Sequence, residues 1–259
     1  MKYTINNKEI KGDSSQRVCG LDLIRVMAIF FVIAGHFLFI NTAYQETPIQ
    51  SVSVFIQRMM MTVFYVSVPL FMMLTGYLNI KKTPTKKYYI GMIRVLVAYL
   101  VFSMATILFR TYYLGEERSI VQWVLAILNY SAIPYAWYIE MWIGLALLAP
   151  FLNYLWHAVP TIRKKALLIG TLFLLTSLPE TINERVELFP DYFEIACYPL
   201  MFYFMGTFIR EYQPTIKTWL GLAIILLISM VNPIATLVMG GTNCIDWSLG
   251  GGPNGVLCT

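Results

Sequence analysis

Charged residues are scarce in this sequence. Lys, Arg, Asp and Glu make up only 13% of the 259 residues, and there are only two histidines. Hydrophobic residues account for 58% of the chain, and the mean hydropathy is +0.64. A soluble domain of this size cannot bury so much apolar surface. The composition therefore excludes an ordinary soluble fold, and a net charge of +5 does not indicate nucleic-acid binding.

Several familiar motifs are also missing. The four cysteines show no C-x-x-C or metal-binding spacing, so they do not indicate a redox or metal centre. The sequence contains no G-x-S-x-G, no Walker sequence and no paired-histidine metal motif. We therefore expect no bound metal and no resident cofactor.

Long apolar blocks dominate what remains. A helix of about 20 apolar residues is long enough to cross a bilayer. The blocks predict an all-α, polytopic transmembrane helical bundle with about seven spans and one partial or re-entrant helix. The predicted spans are 21–40, 59–80, 88–109, 136–156, 166–178, 193–209 and 219–239, and the partial helix is 120–133. Pro69 is expected to kink the second span.

The loops predict how the chain is oriented. Residues 81–87, KKTPTKK, carry four lysines and are expected in the cytoplasm together with a basic leader, residues 1–20. Residues 120–133 are too few to cross comfortably. If they stay on the outer side, the basic run 163–165 lies inside, as the positive-inside rule favours. The acid-rich loop 179–194 is then outside. We expect a multi-pass protein of the cell membrane, in a bacterium the plasma membrane.

The first span is the most informative stretch, because it carries three ionisable residues, Asp22, Arg25 and His36. Each costs roughly 2.5–3.5 kcal/mol deep in a membrane helix. Eleven residues separate Arg25 from His36, so the two share a helix face at a separation of ~16 Å. Asp22 lies one turn before Arg25 and can pair with it. Asp22 and Arg25 could instead snorkel to the interface, but His36 is too deep to do so.

Depth sorts the polar residues of the spans into two layers. Arg25 and Arg94 lie near the inner ends of their helices, where two guanidiniums suit phosphate groups, although both could simply snorkel. His36 and Glu140 lie at comparable depth near the outer side. A carboxylate that holds an imidazole is a common arrangement of a general base. Sequence does not reveal whether their helices are neighbours.

Two further stretches have alternative interpretations. Trp137, Tyr138 and Trp142 form either an interfacial aromatic belt or part of a site. Thr75-Gly76-Tyr77 near an inner helix end indicates either close helix packing or a turn that faces a ligand.

Five stretches follow one another in an order typical of a known family. They are LDLIRVMAIFFVIAGH with its Arg-x10-His spacing, VPLFMMLTGYLN, IRVLVAYL, AWYIEMWIGLALLAPFLN and YPLMFYFMGTFIR. Together they cover about residues 20–210, and with them the sequence resembles the integral membrane acyltransferases of acyltransferase family 3. The resemblance implies that residues 21–259 form a membrane acyltransferase domain. Such a domain would move an acyl group, commonly acetyl, from cytoplasmic acyl-CoA to an extracytoplasmic hydroxyl of a cell-wall glycan, a surface polysaccharide or a lipid-linked sugar.

The resemblance also assigns roles to individual residues. His36 matches the family's essential histidine, Arg25 its partner arginine, and Arg94 the second arginine of an Arg-x-x-Arg pair. Gly91 replaces the first arginine, and Lys87 one turn earlier is a candidate substitute. The family's Ser-Gly-Tyr appears here as Thr-Gly-Tyr at 75–77, and its Trp-Phe-Leu appears as Trp-Tyr-Ile at 137–139 without the usual preceding histidine. The predicted catalytic residues are His36 and Glu140, and the predicted substrate-binding residues are Asp22, Arg25, Tyr77, Lys87, Arg94 and Trp137.

Two other interpretations stay open at this point. Buried charges also line the substrate pathways of transporters and flippases, and the chain could be an inactive fragment of an acyltransferase. Family members have about ten spans, and residues 256–259 resemble the opening of a further apolar segment. We therefore expect two or three C-terminal spans to be missing from this sequence.

Overall fold

The computed structural model describes residues 19–41, 51–133, 135–182 and 194–238, and within these ranges the chain is helical with connecting turns and contains no strand. Nine helices occur there: α1 Cys19–Asn41, α2 Val52–Phe64, α3 Ser67–Asn79, α4 Lys86–Tyr112, α5 Ile120–Leu128, α6 Trp137–Ala158, α7 Ile162–Ile182, α8 Glu194–Tyr212 and α9 Thr218–Val238. The predicted leader up to residue 18, most of the predicted acid-rich loop (183–193) and the chain from residue 239 onward lie outside the described residues.

The predicted all-helical membrane fold is confirmed, but the count of seven spans is not. Within the described residues, four segments are long and apolar enough to cross a membrane: Cys19–Leu38, Val52–Asn79, Lys86–Tyr112 and Trp137–Ala158. A shorter apolar helix covers Thr218–Val231. The apolar runs predicted at 166–178 and 193–209 lie within helices of 21 and 19 residues, α7 and α8. Neither helix is among these four segments.

The second span differs from the single kinked helix that the sequence predicts. It begins at Val52, seven residues earlier than predicted, and is broken into α2 and α3 at Tyr65 and Val66. The break has a local cause. Pro69 has no N–H, and its ring would clash with the carbonyl of Tyr65 four residues earlier, which favours a break at this point. A proline in the first turn of the new helix α3 is tolerated.

The short helix α5 supports the interpretation of residues 120–133 as a partial helix. It contains nine residues and is therefore only ~14 Å long, which is less than half of a bilayer core. Ser119 and Gln122 close its N-terminus in a reciprocal capping box. The buried residues Trp123 and Ala126 hold it against Ile107 of α4.

The core lies between α3, α6, α7 and α8. Trp156, Tyr203 and Phe204 are almost completely buried in it. The closest approach is between α3 and α8, where a Cβ on Gly76 would overlap the carbonyl of Tyr203 and a Cβ on Gly206 would overlap that of Met73. Of the two interpretations of the Thr-Gly-Tyr stretch, close helix packing therefore accounts for the glycine.

Long-range hydrogen bonds define one end of the bundle. The Nδ2 of Asn153 donates to the carbonyls of Asn79 and Lys82 at 2.6 and 2.8 Å, and Lys165 Nζ donates to both carboxylate oxygens of Glu211 at 2.8 Å. The end of α3, the ends of α6 and α8 and the start of α7 therefore meet. We call this the lysine-rich end, because the loop 81–87 belongs to it.

Candidate functional site

A cavity of about 420 Å³ lies between α1, α3, α6 and α8. It falls in the size range of small-molecule sites. Helix α1 contributes Ile29, Val32, Ile33 and His36 to its wall. Six aromatic side chains complete much of the rest: Tyr65, Phe71, Tyr135, Trp137, Tyr138 and Tyr198. Among the residues that line it in the described chain, none is a Lys, Arg, Asp or Glu.

His36 is held in one tautomer. Its Nδ1 lies 2.7 Å from the carbonyl oxygen of Val32, one turn earlier in α1. A carbonyl oxygen can only accept, so Nδ1 carries the proton of the neutral ring and Nε2 keeps its lone pair. Within the described residues no hydrogen bond to Nε2 occurs. The imidazole is therefore arranged to accept a proton or to attack a carbon through Nε2.

Tyr135 packs directly against this imidazole. The two ring centroids are 4.0 Å apart with an interplanar angle of 60°. The sequence prediction missed Tyr135. The one available signal was its place just before the Trp-Tyr-Ile stretch at 137–139.

Glu140 does not take part in the arrangement predicted for it. Its side chain is exposed and is not among the residues that line the cavity. Successive residues of an α-helix are rotated by 100° about its axis, so Met141, and not Glu140, lies on the same face of α6 as Trp137 and Tyr138. Met141 is packed against the core. The prediction that a carboxylate holds His36 is therefore corrected, because the backbone carbonyl of Val32 fills that position. A catalytic role for Glu140 stays a prediction.

Trp137 and Tyr138 lie on the cavity wall. The ring of Tyr138 packs on Phe71 of α3 with centroids 5.7 Å apart. These two members of the predicted aromatic belt therefore face the interior of the bundle. The interpretation of Trp137 as part of a site agrees with this placement.

In the described part of the chain, the two arginines of the predicted phosphate layer lie on helices whose main packing partners differ. Arg25 forms the predicted ion pair with Asp22 on α1, which packs against α2 and α3. Arg94 is exposed on α4, which packs against α5 and α6. Lys87 is exposed at the start of α4. The structure therefore confirms the Asp22–Arg25 pair, while a phosphate site shared by Arg25 and Arg94 stays a prediction.

Tyr77 belongs to the lysine-rich end and not to the cavity. Its hydroxyl accepts a hydrogen bond of 2.9 Å from Arg210 Nη1, and the same guanidinium lies 4.8 Å from the centre of the tyrosine ring. Arg210 was not among the predicted site residues. Its position at the end of α8 places a further guanidinium near the predicted inner side.

No group of three or more His, Cys, Asp or Glu side chains within the described ranges could hold a metal ion. The polar side-chain groups of the cavity are one imidazole, several phenol hydroxyls, the hydroxyl of Ser67 and the indole N–H of Trp137. These groups can exchange protons and accept or donate hydrogen bonds. The binding and catalytic roles of the individual residues remain predictions.

These features define a helical membrane protein that presents a single histidine to an apolar, aromatic cavity. A family model described as an acyltransferase domain matches residues 19–258, which is nearly the whole chain. The chain therefore belongs to acyltransferase family 3 and is an acyltransferase. No curated protein and no solved structure matches it.

Proposed function

We propose that this acyltransferase moves an acyl group from acyl-CoA on the cytoplasmic side to a hydroxyl group of an extracytoplasmic glycan or lipid-linked acceptor. Acetyl-CoA is the simplest donor of this kind. The observation that carries the proposal is the His36 imidazole, which lines the cavity. Its Nδ1 is hydrogen-bonded to the carbonyl of Val32, and its Nε2 has no hydrogen bond to any residue that the structure describes.

The chemistry follows from that lone pair. In one route Nε2 takes the proton of the acceptor hydroxyl, and the oxygen attacks the thioester carbonyl carbon. The C–S bond then breaks, and the CoA thiolate takes the proton from the imidazolium. In the other route Nε2 attacks the thioester carbonyl carbon itself, and the C–S bond breaks to release the CoA thiolate and leave an acyl-imidazolium. The acceptor hydroxyl then attacks the acyl carbon, the C–N bond to the imidazole breaks, and the thiolate takes the proton of the hydroxyl. Both routes need the tautomer that Val32 selects.

The donor is proposed to enter from the end of α1 that carries Arg25. The guanidiniums of Arg25 and Arg94 and the ammonium of Lys87 would bind CoA phosphates, and Asp22 would orient Arg25. Tyr77 would contribute indirectly, through its contact with Arg210. Trp137, on the cavity wall, would contact the acceptor. With this assignment the enzyme is a protein of the cell membrane, and its N-terminus lies in the cytoplasm.

The first test compares His36→Ala with His157→Ala. His157 is the second histidine of the chain and is exposed near the lysine-rich end, so it serves as a matched control. We expect His36→Ala to lower acyl transfer by ~10²–10⁴-fold, the usual contribution of a general base, while acyl-CoA binding persists. Arg25→Ala should weaken acyl-CoA binding instead. Glu140→Gln reports on the carboxylate role. Near-normal transfer by His36→Ala would refute the proposal.

A membrane transporter or flippase would behave differently. Transfer or hydrolysis of acyl-CoA needs no gradient, so the purified enzyme should release CoA in detergent. A transporter should do nothing to acyl-CoA under those conditions. Loss of a transmembrane flux in the His36 and Arg25 variants, with no chemistry on acyl-CoA in any preparation, would favour the transporter.

A further inference from the structure

The wall that α1 contributes to the cavity is polar only at its last position. Ile29, Val32 and Ile33 line the cavity before His36 on the same helix. Ile29 precedes His36 by seven residues, which corresponds to ~10.5 Å along the axis. All three lie between Arg25 and His36 in the sequence of α1. We call these three residues the apolar track.

The side of His36 that meets the start of α6 has a different character. Tyr135 touches the imidazole, and Trp137 follows it at the start of α6. These side chains combine aromatic rings with a hydroxyl and an indole N–H, which suit a hydroxyl-bearing acceptor. If the acceptor binds on this side, the apolar track is left for the acyl donor.

The apolar track is a poor environment for a charged or strongly polar group. No residue that lines the cavity in the described chain carries a permanent charge, so a charged ligand would lose its hydration without compensation. An alkyl chain, in contrast, gains from leaving water there.

The size of the cavity argues in the same direction. A group of about the size of a water molecule or a methylene occupies a volume of ~30 Å³. The cavity volume of 420 Å³ therefore corresponds to roughly 14 such groups. An acetyl group with its thioester carbonyl fills only a small part of this space. A zigzag chain with C–C bonds of ~1.5 Å reaches the ~10.5 Å from His36 to Ile29 with about eight carbons.

We propose that the apolar track binds the hydrocarbon chain of the acyl donor, so that the enzyme accepts acyl groups longer than acetyl, up to about eight carbons. This inference rests on the proposed function of the same site. It assigns Ile29 as the residue that limits chain length, because it lies at the far end of the track.

The test uses acetyl-, butanoyl-, hexanoyl-, octanoyl- and hexadecanoyl-CoA with the purified protein in lipid nanodiscs. Two quantities are measured for each donor: the dissociation constant, and His36-dependent release of CoA. We expect affinity and kcat/KM to rise by up to about fourfold for each added methylene as far as octanoyl, from the usual gain of ~0.8 kcal/mol per buried methylene. Hexadecanoyl-CoA should lose this advantage.

Variants at Ile29 separate the apolar track from general partitioning into lipid. Ile29→Phe should move the optimum to shorter chains, and Ile29→Ala should move it to longer ones. Met27→Phe is the control, because Met27 lies on α1 outside the cavity wall and is likewise partly exposed. Misfolding cannot produce opposite shifts in the two Ile29 variants.

The outcomes distinguish this inference from the proposed function. A flat profile, or a profile that the Ile29 variants leave unchanged, would overturn the inference and show that the cavity is only a recess for lipid tails. A chain-length preference in binding that Ile29 controls, without any CoA release, would uphold the apolar track and refute the acyltransferase chemistry proposed for His36.

Discussion

A histidine that does chemistry must have its tautomer and its orientation fixed. In this protein two contacts fix them. The carbonyl of Val32 keeps the proton on Nδ1, and the ring of Tyr135 at 4.0 Å restricts rotation of the imidazole. The first contact comes from the same helix, while the second crosses from the start of α6. Tyr135 is therefore a positioning residue for His36.

Substitutions at Tyr135 should separate ring packing from the phenol hydroxyl. An aromatic contact of this kind is worth ~0.5–1.5 kcal/mol, so Tyr135→Ala should lower kcat about two- to tenfold without a matching change in KM for acyl-CoA. Tyr135→Phe keeps the ring and should retain most of the activity.

The control for Tyr135 is Tyr154→Ala, an exposed tyrosine of α6, the helix that Tyr135 precedes. Steady-state kinetics of the three variants provide the measurement. An equal loss in Tyr135→Phe and Tyr135→Ala would show that the hydroxyl, and not the ring, is what the site needs.

His36 could be predicted from the sequence, but its contacts could not. A histidine deep in an apolar span is costly, and that cost signals function from the primary structure alone. The carbonyl of Val32 has no residue-specific signature, and Tyr135 comes from a distant part of the chain. The predicted pairing of Glu140 with His36 was based only on their similar depth in the membrane. The rotation of 100° per residue along α6 turns Glu140 away from the cavity.

At the level of helices, most predicted apolar blocks are found as helices with ends shifted by a few residues. The exception is the second span, where the structure places a break at Tyr65 and Val66. The sequence contains its cause, Pro69. Whether a proline kinks or interrupts a helix depends on what the freed backbone groups and the neighbouring helices allow, and this is a tertiary property.

The contact between α3 and α8 depends on two glycines. A methyl group on Gly76 or Gly206 would overlap a backbone carbonyl of the other helix, which cannot move aside as a flexible side chain can. We expect Gly76→Ala and Gly206→Ala each to destabilise the protein by at least ~1–3 kcal/mol, the usual range for overpacking.

Thermal unfolding in detergent measures the effect of the glycine substitutions. The matched control is Gly91→Ala on α4, where a Cβ meets no atom within 4 Å. This substitution should be neutral or stabilising by up to ~1 kcal/mol, because alanine is the better helix former. A melting temperature for Gly76→Ala as high as that of Gly91→Ala would contradict the tight contact.

Ion pairs stabilise the loop between α4 and α5. Arg110 donates two hydrogen bonds of 2.8 and 2.9 Å to Glu116, and Arg118 lies 3.4 Å from the same carboxylate. The hydrogen bonds from Arg110 hold the pKa of Glu116 below its ordinary value. Because the pKa of Glu116 is lower in the folded than in the unfolded protein, its ionised carboxylate stabilises the fold fully at a pH above the unfolded pKa. This stabilisation is lost as the pH falls through the folded pKa.

The pH dependence of unfolding should therefore differ between the wild type and Glu116→Gln. Above pH ~5 the wild type should melt at the higher temperature, and the difference should shrink as the solution is acidified below the ordinary pKa of ~4.3. Glu117→Gln, at the exposed neighbouring position, is the control. A difference that grows on acidification would reverse the sign of the linkage and refute the role of the Arg110–Glu116 pair.

At the scale of the molecule, one of the charges that predicted the orientation is not free. Lys165 is buried, with a side chain only 7% exposed, and pairs with Glu211, which also accepts a hydrogen bond from Trp156. Its charge is thus compensated within the bundle. The prediction that the lysine-rich end is cytoplasmic consequently rests on the loop 81–87 and on exposed neighbours such as Lys164.

Accessibility labelling tests this orientation. Lys82 and Lys164 are exposed at the lysine-rich end, and Glu117 is exposed after the other end of α4. Single cysteines at these positions, in a background without Cys19, Cys197, Cys244 and Cys258, are treated in intact cells with a thiol reagent that does not cross membranes. We expect labelling at position 117 from outside, and labelling at 82 and 164 only after the membrane is opened. Outside labelling at both 82 and 164 would invert the protein and put the donor site on the wrong side for cytoplasmic acyl-CoA. Labelling of 164 but not of 82 from outside would contradict the bundle itself, because the hydrogen bonds of Asn153 join the end of α6 to the loop that contains Lys82.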